Sequence, residues 1–332
     1  MPDWLLIVFF AVAAAVSLAT SWLLVSRLER VGARLGLSEA LLGMLAALVA
    51  DAPEITSAVT ALVGHQSRIG AGVVIGSNVF NLAALLGLAA IVAGRITLHR
   101  RVILLEGAVA LLIAGLCLAA VLQAVAPAVA LIAVALVLIP YLVVLGVSRD
   151  RLARLGLPPS WRRWLTEAIA EEETELQPVL HPRRARFADE VTAALAVLVV
   201  IGASVAMEQT GARIGARHAI PEIVTGGLLL ACVTSLPNAV AALYLAGRGR
   251  GAATLSTALN SNALNVAIGL LVPGTIVGLG TSSGQSTLIA AWYLGLTAVA
   301  LICAYAGRGL GRGHGALIIA GYLAFVAAVL ML

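Results

Sequence analysis

The sequence predicts an all-α polytopic membrane protein: ten transmembrane helices arranged as two inverted five-helix repeats. Three observations lead there. Of 332 residues, 61% are apolar and 11% charged, against roughly 25% charged in a soluble domain. Ten apolar runs follow one another, most of them long enough to cross about 30 Å of hydrocarbon as a helix. A polar motif recurs 184 residues after its first appearance.

The runs are 4–25, 40–64, 69–94, 102–123, 125–147, 191–207, 220–246, 252–279, 287–306 and 316–332. The sixth and tenth lie near the short limit for a span. The first has no basic residue ahead of it and no evident small-residue cleavage site before Arg27, so it reads as a span and not as a leader. Arginine placement sets the orientation. The loops after spans 1, 3, 5, 7 and 9 hold 18 of the 21 basic residues, all arginine, and the other side holds Arg68, Arg213 and Arg217. Positive charge stays on the cytoplasmic side. The expectation is therefore an integral protein of a bacterial plasma membrane, with both termini outside.

Three segments follow: 1–147 (spans 1–5), a cytoplasmic linker 148–190, and 191–332 (spans 6–10). In the linker, Trp161, Trp164, Leu165, Ala168 and Ile169 recur at helical spacing after Pro158 and Pro159. That pattern fits an interfacial amphipathic helix. Glu171, Glu172, Glu173 and Glu175 read as a solvated acidic stretch, with a regulatory cation site as the other reading. About 43 loop residues are too few for a separate ion-binding sandwich.

Composition excludes several functions. A net charge of +5 reflects basic loops, so no nucleic-acid partner is expected. The chain has no lysine, hence no P-loop and no Schiff-base lysine. Cys117, Cys232 and Cys303 sit singly in apolar runs. His65, His99, His181, His218 and His314 lie in loops or at span ends, without a zinc-protease motif or a nucleophile elbow. No enzyme and no bound cofactor are expected. The partners are the lipid bilayer and inorganic cations.

The repeat carries the chemistry. Span 2 contains Ala50-Asp51-Ala52-Pro53-Glu54, and span 7 contains Thr234-Ser235-Leu236-Pro237-Asn238. Span 3 contains Gly76-Ser77-Asn78-Val79-Phe80-Asn81, and span 8 contains Asn260-Ser261-Asn262-Ala263-Leu264-Asn265. Pro53 and Pro237, Ser77 and Ser261, Asn78 and Asn262, and Asn81 and Asn265 all keep one register. Five spans per unit invert the second unit relative to the first, an arrangement of secondary transporters whose site lies near the midplane. Mid-span proline frees the carbonyls of Val49 and Val233. A cation, or a neighbouring hydroxyl or water, can satisfy them.

Ala47, Ala50, Asp51 and Glu54 share one helix face, as do Ala231, Thr234, Ser235 and Asn238. Ser77 pairs with Asn81, and Ser261 with Asn265, on faces of spans 3 and 8. Carboxylate, hydroxyl, amide and carbonyl oxygens suit a hard cation such as Ca²⁺. Two acids in one apolar helix are costly, at about 2.5–3.5 kcal/mol each at the bilayer centre, and need a reason. Glu106, near the cytoplasmic start of span 4, reads as structural and able to snorkel.

At these residues the sequence resembles the cation/calcium exchanger superfamily, the sodium/calcium exchangers and their bacterial relatives, over the whole chain. The resemblance implies a cation held by Glu54, Ser77 and Asn81 from the first repeat. From the second it implies Thr234, Ser235, Ser261 and Asn265, with backbone carbonyls of Ala47 and Ala231. The chain departs from the pattern at Ala50-Asp51, where the family has Thr-Ser, and at Asn238, where it has a second glutamate. Val73 and Thr257 replace the Asn of the Gly-Asn motif, and Asn260 replaces the Gly of the second Gly-Ser-Asn. Both acids thus lie in the first repeat. Ionised, Asp51 and Glu54 balance one Ca²⁺, two Na⁺ or two protons, and the repelling pair is expected to hold one proton when no cation is near. The implied activity is antiport of Ca²⁺ against Na⁺ or H⁺ by alternating access, these ions being substrates. The other reading is a non-transporting relative that senses ions or scaffolds partners.

Overall fold

The computed structural model describes residues 2–34, 48–146, 187–247, 249 and 251–331. The expected interfacial helix and acidic stretch of the linker lie outside these residues, as do Ala47, Arg248 and Arg250.

The described chain is almost wholly helical. In order it forms α1 (Asp3–Arg34), α2 (Ala52–Val63), α3 (Ser67–Ala93), β1 (Arg95–Thr97), α4 (Arg100–Val121) and α5 (Pro127–Gly146). Then come α6 (Phe187–Arg217), α7 (Glu222–Thr234), α8 (Leu236–Gly247), α9 (251–277), α10 (Gly284–Gly307), β2 (Gly309–Gly311) and α11 (Arg312–Leu330). Seven of the described helices are long and apolar enough to cross a membrane: α1, α3, α4, α6, α9, α10 and α11. Three shorter apolar helices are Ala52–Val63, Pro127–Val143 and Glu222–Thr234, and α8 continues the last of them beyond Ser235.

Burial sorts the helices. The apolar stretches of α3 and α9 are 83% and 78% buried inside the protein. Peripheral helices turn large apolar side chains outward, among them Trp4, Phe9 and Trp22 on α1, Ile132 and Leu136 on α5, and Leu195 and Leu198 on α6. Outward apolar side chains of this size belong in lipid.

Helix ends sort onto two faces. On one, Asp3 pairs with Arg217 at 2.7 Å, and Gln123 Nε2 donates to the Gly280 carbonyl at 2.7 Å. On the other, β1 pairs antiparallel with β2, joining Arg95 to Gly311 and Thr97 to Gly309. Arg100 stacks over the Tyr305 ring beside this ribbon. Gly309, at φ +127°, sits so close to Ile96 that a Cβ would come 2.0 Å from its carbonyl oxygen. Asp189, at the start of α6, accepts from Arg27 at 2.6 Å and Arg30 at 3.3 Å.

Two expectations need correction. The sixth run reads as barely long enough to span, yet α6 has 31 residues. Glu208 and Arg213 end the run of hydropathy there without ending the helix. Glu106 does not snorkel. It is 2% exposed and accepts from the Ser256 hydroxyl, because α9 packs across α4 at that level.

Candidate functional site

Two helix breaks build the site. Between Ala50 and Ala52 the helix is interrupted at Asp51, and between α7 and α8 at Ser235. Their backbones nearly superimpose in torsion space, with φ −79°, ψ −7° at Asp51 and φ −84°, ψ −4° at Ser235. Each break precedes a proline by two residues, Pro53 and Pro237. The proline lacks the N–H that would carry the helix through this turn. Beside the breaks run α3 and α9. Each changes to π-helical geometry directly at the polar motif, over Leu82–Leu88 and Asn265–Leu271. An inserted residue of this kind re-aims side chains and frequently marks functional sites.

Glycine lets these elements approach. Gly72 and Gly76 on α3 face Gly226 and Gly227 on α7, where a Cβ on Gly76 would lie 2.2 Å from the Gly227 carbonyl oxygen. Small residues at a crossing allow backbone-to-backbone contact. The contact draws the α7 break toward α3.

The polar side chains then meet in one buried network. Asp51, Glu54, Ser77, Asn81, Ser235, Asn238, Ser261 and Asn265 are all fully buried. The Ser235 hydroxyl donates to Glu54 Oε1 at 2.6 Å. Asn238 Nδ2 donates to Asp51 Oδ1 at 2.6 Å and to Glu54 Oε2 at 3.2 Å. The Ser261 hydroxyl donates to Asp51 Oδ1 at 2.6 Å. Asn81 Nδ2 reaches Ser261 Oγ at 3.2 Å and Asn262 Oδ1 at 3.1 Å. Both acids of the first half are thus held by donors from the second half. Hydrogen bonds to a charged acceptor in a dry setting are the strong kind.

Three of the expected ligands also bond along their own helices. The Ser77 hydroxyl donates to the Val73 carbonyl one turn back on its own helix, and Thr234 does the same to Leu230 at 3.0 Å. The Ala231 carbonyl accepts from the Ser235 amide at 3.2 Å and the Thr234 hydroxyl at 3.2 Å. Ala47 lies outside the described residues. Two residues of the motif that sequence reasoning left out of the site belong beside it. Asn78 Nδ2 donates to the Asn262 carbonyl at 3.1 Å, and Asn262 Nδ2 to the Asn78 carbonyl at 3.1 Å. Asn265 Nδ2 donates to Asn78 Oδ1 at 3.3 Å. The signal was their place in the repeat register.

Within the polar motifs, four buried oxygens receive no hydrogen bond among the described residues: Asp51 Oδ2, Asn81 Oδ1, Asn238 Oδ1 and Asn265 Oδ1. Buried acceptors are rarely left so. No group of three or more His, Cys, Asp or Glu that could hold a metal occurs among the described residues. The donors are therefore two carboxylates and neutral oxygens, a set chemically matched to hard cations and not to soft transition metals.

The family model for sodium/calcium exchanger proteins matches residues 5–149 and 191–331. The chain belongs to the sodium/calcium exchanger family. It is an integral membrane protein. Among curated relatives, CaxA of Alkalimonas amylolytica is 31% identical over 93 residues, which span 28% of this chain and 29% of CaxA. The chain thus matches less than a third of that relative's length. Among solved structures, the sodium-calcium exchanger NCX_Mj soaked with Na⁺ and Sr²⁺ aligns with a TM-score of 0.64 at 19% identity, over 98% of this chain and 99% of that one. The H⁺/Ca²⁺ exchanger CAX aligns with a TM-score of 0.72 at 14% identity, over 98% of this chain and 81% of that one. At these identities the likeness is one of fold.

Proposed function

We propose that the protein is a secondary-active antiporter that exchanges Ca²⁺ for Na⁺ or H⁺ across the membrane. The observation that carries this reading is the joining of Asp51 and Glu54 to Ser235, Asn238 and Ser261. Two fully buried acids from one half of the chain meet three donors from the other. The four acceptor oxygens without donors lie in the same motifs and would be satisfied by a bound cation. Family membership and the names of the aligned exchangers support the same class of function.

In this reading the chain has ten spans in two five-helix units, 1–147 and 191–332, related by inversion. The matched breaks at Asp51 and Ser235, the matched π-helical stretches and the reciprocal Asn78–Asn262 pair support it. The face of Asp3 and Arg217 is external, and the face of the β1–β2 ribbon, with Arg95, Arg100 and Arg101, is cytoplasmic.

Each residue then has a task. Asp51 and Glu54 supply two negative charges, which one Ca²⁺, two Na⁺ or two protons neutralise. Asn81, Asn238 and Asn265 supply amide oxygens. Ser235 and Ser261 hold the carboxylates in place and offer lone pairs. Burying an uncompensated dianion is prohibitive, so the site crosses only when loaded. That is the physical basis of obligatory exchange, and alternating access follows when either half opens one face at a time.

Purified protein in liposomes tests this. Ca²⁺ uptake driven by an outward Na⁺ or H⁺ gradient is the expected result, and the effective gradient names the coupling ion. Ca²⁺ binding without uptake under either gradient would favour the non-transporting reading, in which Asn238 has replaced the second acid.

A further inference from the structure

Glu208 takes no part in the site above, yet it is a buried acid. It is 2% exposed, lies nine residues inside Arg217, and forms no hydrogen bond or ion pair among the described residues. A buried intramembrane acid without a partner calls for a functional explanation.

Its neighbours on α6 supply one. Ser204, one turn away on the same face, is buried where three helices meet. The Ser204 hydroxyl lies 3.1 Å from Ser17 Oγ on α1, and its carbonyl accepts from the Ser57 hydroxyl on α2 at 3.4 Å. Ser57 in turn stands one turn from Glu54. In the other direction the buried face of α6 carries Gly211, Ala212 and Gly215. There, a Cβ on Gly215 would meet the Thr225 hydroxyl at 2.3 Å. Thr225 is 1% exposed, and its hydroxyl has no hydrogen-bond partner among the described residues. Polar groups thus recur from the Asp3 face toward the central acids, Thr225, Glu208, then Ser204 with Ser17 and Ser57, with Leu230 and Phe10 packed at Gly211 between the first two.

We propose that Glu208 is a cation-binding way station on the path between the Asp3 face and Glu54, taking a hard cation in transit. This rests on the antiporter reading for the identity of the traffic, but the path itself can be tested without it. A carboxylate there draws cations inward, and the serine oxygens replace part of the hydration shell on the way to Glu54. The glycines hold α6 in close contact with its neighbours, Gly215 against Thr225 and Gly211 against Leu230 and Phe10, so transit there requires these helices to part.

The test has two arms. In protein with Cys117, Cys232 and Cys303 replaced, Glu208→Cys is exposed to a small, cationic, membrane-impermeant thiol reagent from the Asp3 face. Leu198→Cys, on the lipid-facing side of α6, serves as control. The proposal expects labelling at 208 well above that at 198, slowed by saturating Ca²⁺. Labelling no faster than at 198, or labelling that Ca²⁺ leaves unchanged, overturns it. Both results can be read even if the wild type transports nothing, so failure of the antiporter reading is separable. In protein that exchanges, Glu208→Gln should raise the half-saturating Ca²⁺ on the Asp3 face by about 3–10-fold, the scale of one partly solvated charge interaction. Half-saturation on the opposite face should not change. An unchanged value on the Asp3 face would show that Glu208 binds no cation in transit.

Discussion

Asn238 and Asp51 lie 187 residues apart in the chain and 2.6 Å apart in space, the amide nitrogen donating to Asp51 Oδ1. The same nitrogen reaches Glu54 Oε2 at 3.2 Å. One neutral side chain thus bridges both acids at the position where the family resemblance expects an acid. It holds the pair together without adding charge.

That bridge gives a first prediction. Asn238→Glu puts a third carboxylate beside the two already there. Apparent affinity for a divalent cation should tighten by about tenfold, equivalent to about 1.4 kcal/mol. Without cation the variant should melt at lower temperature, because three enclosed acids repel. Calcium-dependent thermal shifts in detergent check both, and an unchanged response would mean that α8 does not face the ion.

Ser235 and Asp51 should separate affinity from ion choice. Ser235→Ala removes a 2.6 Å hydrogen bond to a buried carboxylate, worth roughly 1.5–3 kcal/mol, and should weaken cation binding by about one to two orders of magnitude. Asp51→Asn lowers the site charge by one, and should change the preference between monovalent and divalent cations. Competition binding with Na⁺ against Ca²⁺ measures each.

The reciprocal amide pair carries a structural prediction. Asn78 and Asn262 each donate to the other's backbone carbonyl across the centre of the molecule. Replacing either with alanine should cost roughly 1–3 kcal/mol, because a buried polar group loses its partner. The double variant should cost less than the sum of the two. A thermal-unfolding double-mutant cycle tests this coupling.

Helix crossing supplies a contrast within one residue type. Gly76→Ala would push a methyl to 2.2 Å from the Gly227 carbonyl oxygen, so α3 and α7 could not keep their approach. Folded yield and exchange should both fall. Gly115→Ala and Gly295→Ala meet nothing within 4 Å. They should be neutral, or stabilising by up to about 1 kcal/mol. Size-exclusion profiles of the three variants read this directly.

Much of this architecture is legible in the residue order. Apolar runs mark helices because lipid demands them, and Pro53 and Pro237 mark breaks because proline has no N–H to donate. Asp51, Glu54, Asn81, Asn238 and Ser261 are found by asking which polar residues share a helix face. The same reasoning does not foresee where the Ser77 and Thr234 hydroxyl protons go. A hydroxyl on a helix can satisfy itself on the carbonyl one turn back, and spacing alone does not say which way it turns. Asn78 and Asn262 are missed for another reason. They sit about 100° around the helix from Ser77 and Ser261, which for a surface helix means another environment. But α3 and α9 are enclosed on nearly every side, so each face meets a neighbour. Glu208 escapes notice because a charge ends the apolar run in the sequence, whereas the helix continues through it.

The most direct test is isotope exchange at equilibrium, with equal Ca²⁺ on both sides of the liposome membrane and no gradient imposed. Wild-type protein should move labelled Ca²⁺ across until it equilibrates, and Glu54→Gln should move none while remaining folded. Normal exchange by Glu54→Gln would contradict the assignment of the Asp51–Glu54 network as the place where the transported cation is held.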